Sequence, residues 1–156
     1  MTAYRTPNRV APSRAENFMK ELPMLDEHTS TAAPPPCLIL AHPDGMYGTI
    51  IARSFRRLGW DVYAAHSSPE VRRLVRLLEA DVVVMDADLP EESGWLTCDK
   101  LTCERPLIKV VLVSDNLSPR NRALADFVGA NALVRRADGL APLVEELLGR
   151  AVPAAG

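Results

Sequence analysis

Two short runs, Val82-Val83-Val84-Met85 and Val110-Val111-Leu112-Val113, constrain this chain more than any other feature. Neither alternates apolar with polar residues. An unbroken apolar run of this length belongs to a strand covered on both faces, as in a parallel sheet sandwiched between helices. The first run delivers Asp86 to a loop with Pro90 and Gly94 behind it, and the second delivers Ser114. In such sheets ligands bind in the crevice beyond the carboxyl ends of the strands, which is where Asp86 is expected.

Strand and helix patterns alternate five times. Strand Leu38 to Ala41 leads to a helix from about Met46 to Leu58, with Tyr47, Ile51, Phe55 and Leu58 on one face and Gly59 ending it. Strand Asp61 to Ala65 precedes a helix from about Pro69 to Glu79, for which Ser68 is the expected cap. Val71, Leu74, Val75 and Leu78 point inward there, and Arg72, Arg73 and Arg76 form a solvent face. The strand bearing Asp86 feeds a helix around Gly94 to Cys103. The strand ending at Ser114 feeds one starting at Pro119 with Ser118 as cap. Asn131 to Arg135 reads as the last strand, and a helix from about Leu140 to Ala151 closes the domain by burying Leu140, Leu143, Val144, Leu147 and Leu148. Right-handed crossovers of this pattern give an α/β fold, a flavodoxin-like (βα)5 doubly wound parallel sheet of order 2-1-3-4-5, with the first and third strand ends meeting at the switch point. Asp86 and His42 are expected to meet there.

Residues 1–35 mix Pro, Ser, Thr, Ala and scattered charges and read as a flexible arm, ending in Ala33-Pro34-Pro35-Pro36. Phe18, Met19 and Leu22 within it have helical spacing. The domain is expected over 36–150 and a short tail over 151–156. At 156 residues and 47% hydrophobic content the chain suits one three-layer core. With 18 basic against 20 acidic residues, the formal charge of −2 offers no electrostatic reason to expect nucleic acid. No apolar run approaches the roughly 18 residues that cross a bilayer. Three cysteines, Cys37, Cys98 and Cys103, lack metal-ligand spacing, and reduced thiols in a cytoplasmic protein are the expectation.

Three strand ends supply, in order, a carboxylate (Asp86), a hydroxyl (Ser114) and a cation (Arg136): an acceptor for a phosphoryl group, a donor to one of its oxygens and a charge to neutralise it. An isolated Asp at a strand end has a plainer reading as a turn cap. The set Asp86-Ala87-Asp88-Leu89-Pro90, Ser93-Gly94, Ser114 and Gly129-Ala130-Asn131 resembles the receiver domain of two-component response regulators over about residues 36–150. The resemblance implies a non-enzymatic signalling domain. The residue matching Asp86 accepts phosphate from a histidine kinase or phosphotransfer protein, the one matching Ser114 follows the phosphoryl group, and a lysine stands where this chain has Arg136.

Receivers also carry two acidic residues after the first strand that bind Mg²⁺ with the phosphoacceptor. Here Ala41 and His42, or His42 and Pro43, occupy those places, leaving Asp86 with Asp44 as the candidate metal ligands. Arg presents a planar fork where the family has a compact ammonium. Ala137 replaces a frequent proline, Leu133 stands at the aromatic switch position, and Asp115 places a carboxylate beside Ser114, repelling a phosphoryl group unless it is paired.

The expectation is an atypical single-domain receiver in a phosphorelay, with Asp86 as candidate phosphoacceptor, a downstream protein contact as output and a homodimer as one option. The alternative is a pseudo-receiver, an interaction module independent of phosphate. About eight residues follow Leu148, too few for a helix-turn-helix or catalytic output domain. Ala41-His42-Pro43-Asp44 also resembles the start of the motif of zinc-dependent N-deacetylases. Gly45 replaces the second Asp of that motif, and no His follows His66 to complete a ligand set.

Overall fold

The computed structural model describes residues 34–149. The helical spacing of Phe18, Met19 and Leu22 and the tail 151–156 lie outside the described residues. Five strands, β1 (Cys37–Ala41), β2 (Asp61–Ala64), β3 (Val82–Asp86), β4 (Lys109–Val113) and β5 (Ala132–Val134), form one parallel sheet in the order β2-β1-β3-β4-β5. The helices are α1 (Gly45–Arg57), α2 (Ser68–Leu78), α3 (Gly94–Glu104), α4 (Pro119–Phe127) and α5 (Ala141–Leu148), with a 3₁₀ turn at Arg136–Asp138. This is the flavodoxin-like arrangement expected from the alternating pattern.

The apolar runs are unbroken because each strand feeds two cores at once. Successive side chains leave a strand on opposite faces. The registers Ile39↔Val83 and Val83↔Val110 align one row, which packs with Val71 and Val75 of α2 and Cys98 and Leu101 of α3. The row Leu40↔Val84↔Val111 faces the other way, against Tyr47, Ile51 and Phe55 of α1 and Leu143 and Leu147 of α5. A fully buried Val or Leu contributes about 1.5–3 kcal/mol through removal from water, and the central strands share these residues with the helices that cover them.

Several sequence expectations shift. Leu58 follows α1 and is exposed, since the helix stops at Arg57 and Gly59, at φ 90°, turns the chain toward β2. The cap of α2 is Ser67, whose hydroxyl accepts from Glu70 N–H, and Ser68 is the first helical residue. Ser68 is fully buried and donates instead to the Glu92 carbonyl at 2.6 Å. The last strand ends at Val134, so Arg136 sits in the 3₁₀ turn rather than on a strand end. The closing helix begins at Ala141; Leu143 and Leu147 are its buried residues, Leu140 and Val144 pack beside them, and Leu148 stays partly exposed.

Candidate functional site

The site is assembled from three loops at the carboxyl ends of β1, β3, β4 and from the 3₁₀ turn. His42, Asp44, Asp86, Asp88, Ser114, Asp115 and Arg136 line one cleft of about 370 Å³. The three residues expected to act together, Asp86, Ser114 and Arg136, do share it. Their partners differ from the expectation.

Asp86 closes β3 with one carboxylate oxygen, Oδ1, accepting from Asp88 N–H at 2.8 Å. Its Oδ2 lies 3.5 Å from His42 Nε2. The loop behind it is fixed by close packing. Gly94 N–H donates to the Ala87 carbonyl, and a Cβ at Gly94 would stand 2.9 Å from Ala87 Cα and inside contact distance of the Asp86 carbonyl. Glu92 then ties the loop to α3, accepting from Thr97 Oγ1 at 2.8 Å and from Lys100 Nζ at 2.6 Å. The Lys100 contact holds the Glu92 carboxyl below its usual pKa.

His42, with a side chain only 5% exposed, has its proton placed by a neighbour. Asp44 N–H donates to His42 Nδ1 at 3.0 Å, so Nδ1 is an acceptor and in the neutral ring Nε2 carries the hydrogen that faces Asp86. Burial lowers the His42 pKa from 6.5 and outweighs the opposing pull of Asp86 and Asp44. The ring is neutral at pH 7, and its Nε2–H is a dipole rather than a charge. Tyr47 packs against it at 4.8 Å between ring centroids. The Tyr47 hydroxyl is buried without a hydrogen-bond partner among the described residues, and burial pushes its pKa up to about 12.

Asp44, expected as a metal ligand, is committed twice within the protein. Its Oδ1 caps α1, accepting from Met46 N–H at 3.0 Å and Tyr47 N–H at 3.1 Å, and its Oδ2 takes Arg136 Nη1 at 2.9 Å. The N–H of Tyr47 is the main reason the Asp44 pKa is lowered. Asp just before a helix start is a frequent cap, a signal present in the sequence but not read from it. Arg136 also reaches Asp115 Oδ2 at 3.8 Å, so the carboxylate expected to repel a phosphoryl group has a cation beside it. Ser114, almost fully buried, uses its hydroxyl in the β4–α4 loop: Oγ accepts from Asn116 N–H at 3.1 Å and donates to Asn116 O at 3.3 Å. Leu133 packs against the core beneath α3 and α4.

Magnesium takes near-octahedral oxygen ligands and keeps several waters. Of the carboxylates lining the cleft, Asp44 is already bound to two N–H groups and a guanidinium, and Asp115 lies beside the same guanidinium. Asp86 stands against a neutral imidazole and Asp88 is exposed. Among the described residues no three His, Cys, Asp or Glu are grouped to hold a metal ion. These residues do not fit Mg²⁺. Nor, for the same reason, do they fit a zinc site of deacetylase type.

No protein-family model matches the chain, and neither does any curated protein. Among solved structures, the protein is similar to the response regulator receiver domain protein (CheY-like) of Methanospirillum hungatei JF-1, with a TM-score of 0.68 and 18% identity over 74% of this chain and 92% of that one. The chain has the receiver fold. The BeF3-activated N-terminal receiver domain of Klebsiella pneumoniae RstA aligns at a TM-score of 0.65 and 22% identity, covering 72% of this chain and 95% of that chain. A response regulator protein from Burkholderia pseudomallei with a phosphorylated aspartic acid, calcium ion and citrate aligns at 0.65 and 18%, covering 72% and 66%. On this receiver fold, Asp86 ends the central strand and opens on the cleft that His42 and Arg136 share. No helix among the described residues is long and apolar enough to cross a membrane.

Proposed function

We propose that this protein is an atypical receiver in cytoplasmic phosphorelay signalling, with Asp86 as phosphoacceptor and a protein contact as output. The observation that carries this reading is Asp86 Oδ2, open to the cleft that also holds Ser114 and Arg136. The phosphoryl donor is a phosphohistidine of a kinase or phosphotransfer protein. Asp86 Oδ2 forms the new P–O bond while the P–N bond of the donor breaks and its imidazole nitrogen takes up a proton. The protein accepts a group rather than turning over a substrate.

Charge on the transferring oxygens has to be answered for such a step to proceed. The groups positioned for this are His42 Nε2–H and the Arg136 guanidinium, the second being released in part from Asp44 and Asp115. A single guanidinium and a neutral imidazole stabilise that charge less than a divalent ion does, so transfer is slow and insensitive to Mg²⁺. Intact-protein mass after incubation with acetyl phosphate, with Mg²⁺ and with chelator, tests this. A phosphoryl adduct is expected in both conditions on the wild type and on neither for Asp86→Asn. His42→Asp sets a second carboxylate beside Asp86 and should make the adduct faster and Mg²⁺-dependent.

The commitment of Asp44 to Arg136 favours a second reading, an interaction module that keeps the receiver fold without phosphate. Absence of an adduct under every condition, with His42→Asp gaining one, would establish it.

A further inference from the structure

A second cavity, of about 700 Å³, lies between α1 and the edge strand β2. Its existence follows from the sequence of α1. The stripe Tyr47, Ile51, Phe55 is buried against β1 and its neighbours, while the adjoining face toward β2 carries Gly45, Gly48 and Ala52. A Cβ at Gly48 would meet only Leu40 Cδ2, at an ordinary 3.6 Å, so no steric demand keeps glycine there, and a helix interior favours Ala. Small residues on this face leave a space where side chains would otherwise close the helix onto the strand.

The rim of this space is basic. Arg53, Arg56 and Arg57 line it from α1 and His66 from the loop after β2, and among the described residues no carboxylate belongs to its wall. Arg56 is anchored, donating from Nη2 to the Val62 carbonyl at 2.7 Å. Arg53 and Arg57 make no ion pair among the described residues, a property they share with most of the other arginines, Arg72, Arg73 and Arg136 being paired. What sets Arg53, Arg56 and Arg57 apart is their placement, three guanidinium groups from one stretch of helix at the mouth of a concave and partly apolar space.

We propose that this cavity binds a small organic anion, with its phosphate or carboxylate held by Arg53 and Arg57 and its compact apolar body seated on Leu40, Ala52 and Val62. Guanidinium groups match either head group with paired N–H donors, and the volume falls within the roughly 300–1,000 Å³ of small-molecule sites. The site is separate from the Asp86 cleft except at His42, which stands in the wall of both.

Isothermal titration of the full chain with phenyl phosphate, benzoate and inorganic phosphate tests the assignment, alongside amide chemical-shift mapping. Phenyl phosphate, benzoate or both should bind at one site at least tenfold more tightly than inorganic phosphate, with shifts concentrated between residues 45 and 66. The Arg53→Gln, Arg57→Gln double variant should weaken binding tenfold or more, about 1.4 kcal/mol per factor of ten. Ala52→Leu, which fills the space, should abolish it while thermal melting shows the variant folded. The assignment is overturned if neither ring-bearing anion binds saturably, if binding survives both variants, or if the shifts fall on residues 86–88 and 114–116 instead.

Discussion

His42 decides the chemistry of the Asp86 cleft. Its ring fills the place beside Asp86 Oδ2 and takes its tautomer from the Asp44 N–H. Folding lowers its proton affinity, chiefly by burial, so the folded protein binds fewer protons at this group than the unfolded chain. Stability is then unaffected above the ordinary pKa of 6.5 and falls as pH drops below it, until the lowered folded value is passed. Urea titrations between pH 7.5 and 5 should show this fall, and His42→Asn, which keeps an acceptor for Asp44 N–H, should flatten it. At Gly94 the cost is steric. Gly94→Ala forces a Cβ onto the Asp86 carbonyl and Ala87, and destabilisation of about 1–3 kcal/mol is expected by denaturant titration, as for other overpacked sites. Asp86 and Gly94 were legible in the sequence because strand pattern and turn residues point to them locally. The Arg136 to Asp44 contact was not, since it joins residues 92 positions apart and neither residue's neighbours call for it.

The secondary elements were legible to within a residue or two, the end of the closing helix excepted, which stops at Leu148 where Gly149 caps it rather than at about Ala151, because apolar runs and helical stripes are local signals. Where they slipped, two similar residues competed. Ser67 and Ser68 precede the same helix, and Glu70 decides between them: three residues after Ser67, it offers its N–H to the Ser67 hydroxyl while its carboxylate takes His66 N–H at 2.8 Å. Ser67→Ala should therefore cost about 1 kcal/mol, the usual loss of a helix cap. Ser68→Ala acts elsewhere, leaving the Glu92 carbonyl without its donor and loosening the loop that follows Asp86. Amide hydrogen exchange separates the two, with faster exchange in the first turn of α2 for Ser67→Ala and around residues 88–94 for Ser68→Ala. In α1, Phe55 is fully buried and meets Trp60 edge-on at 5.0 Å. Phe55→Ala should cost about 3–5 kcal/mol in a denaturant titration, the range of large aromatic deletions in cores.

Across the whole molecule, the two-sided core carries stability and the ion pairs carry arrangement. Arg136 bridges the loop after β1 and the loop after β4, but its side chain is 42% exposed, and such a pair contributes about 0–1 kcal/mol and weakens with salt. Arg136→Ala should thus leave the melting behaviour nearly unchanged while freeing Asp44, a separation that shows whether the Arg136 to Asp44 contact serves the cleft rather than folding. The space between α1 and β2 was illegible for a related reason: Gly48 and Ala52 are visible as letters, but only the angle of the helix against the sheet turns small residues into a void. The same helix has one more consequence, for solubility. Asp61 and Ala65 N–H groups bond inward to the Pro36 and Leu40 carbonyls, so with a period of two the Val62 carbonyl faces the open edge of the sheet, and Arg56 covers it. A four-residue outer strand with its central acceptor already taken is a poor template for a strand from another molecule. Arg56→Ala uncovers that acceptor, and light scattering at rising protein concentration should then reveal edge-to-edge association that the wild type resists.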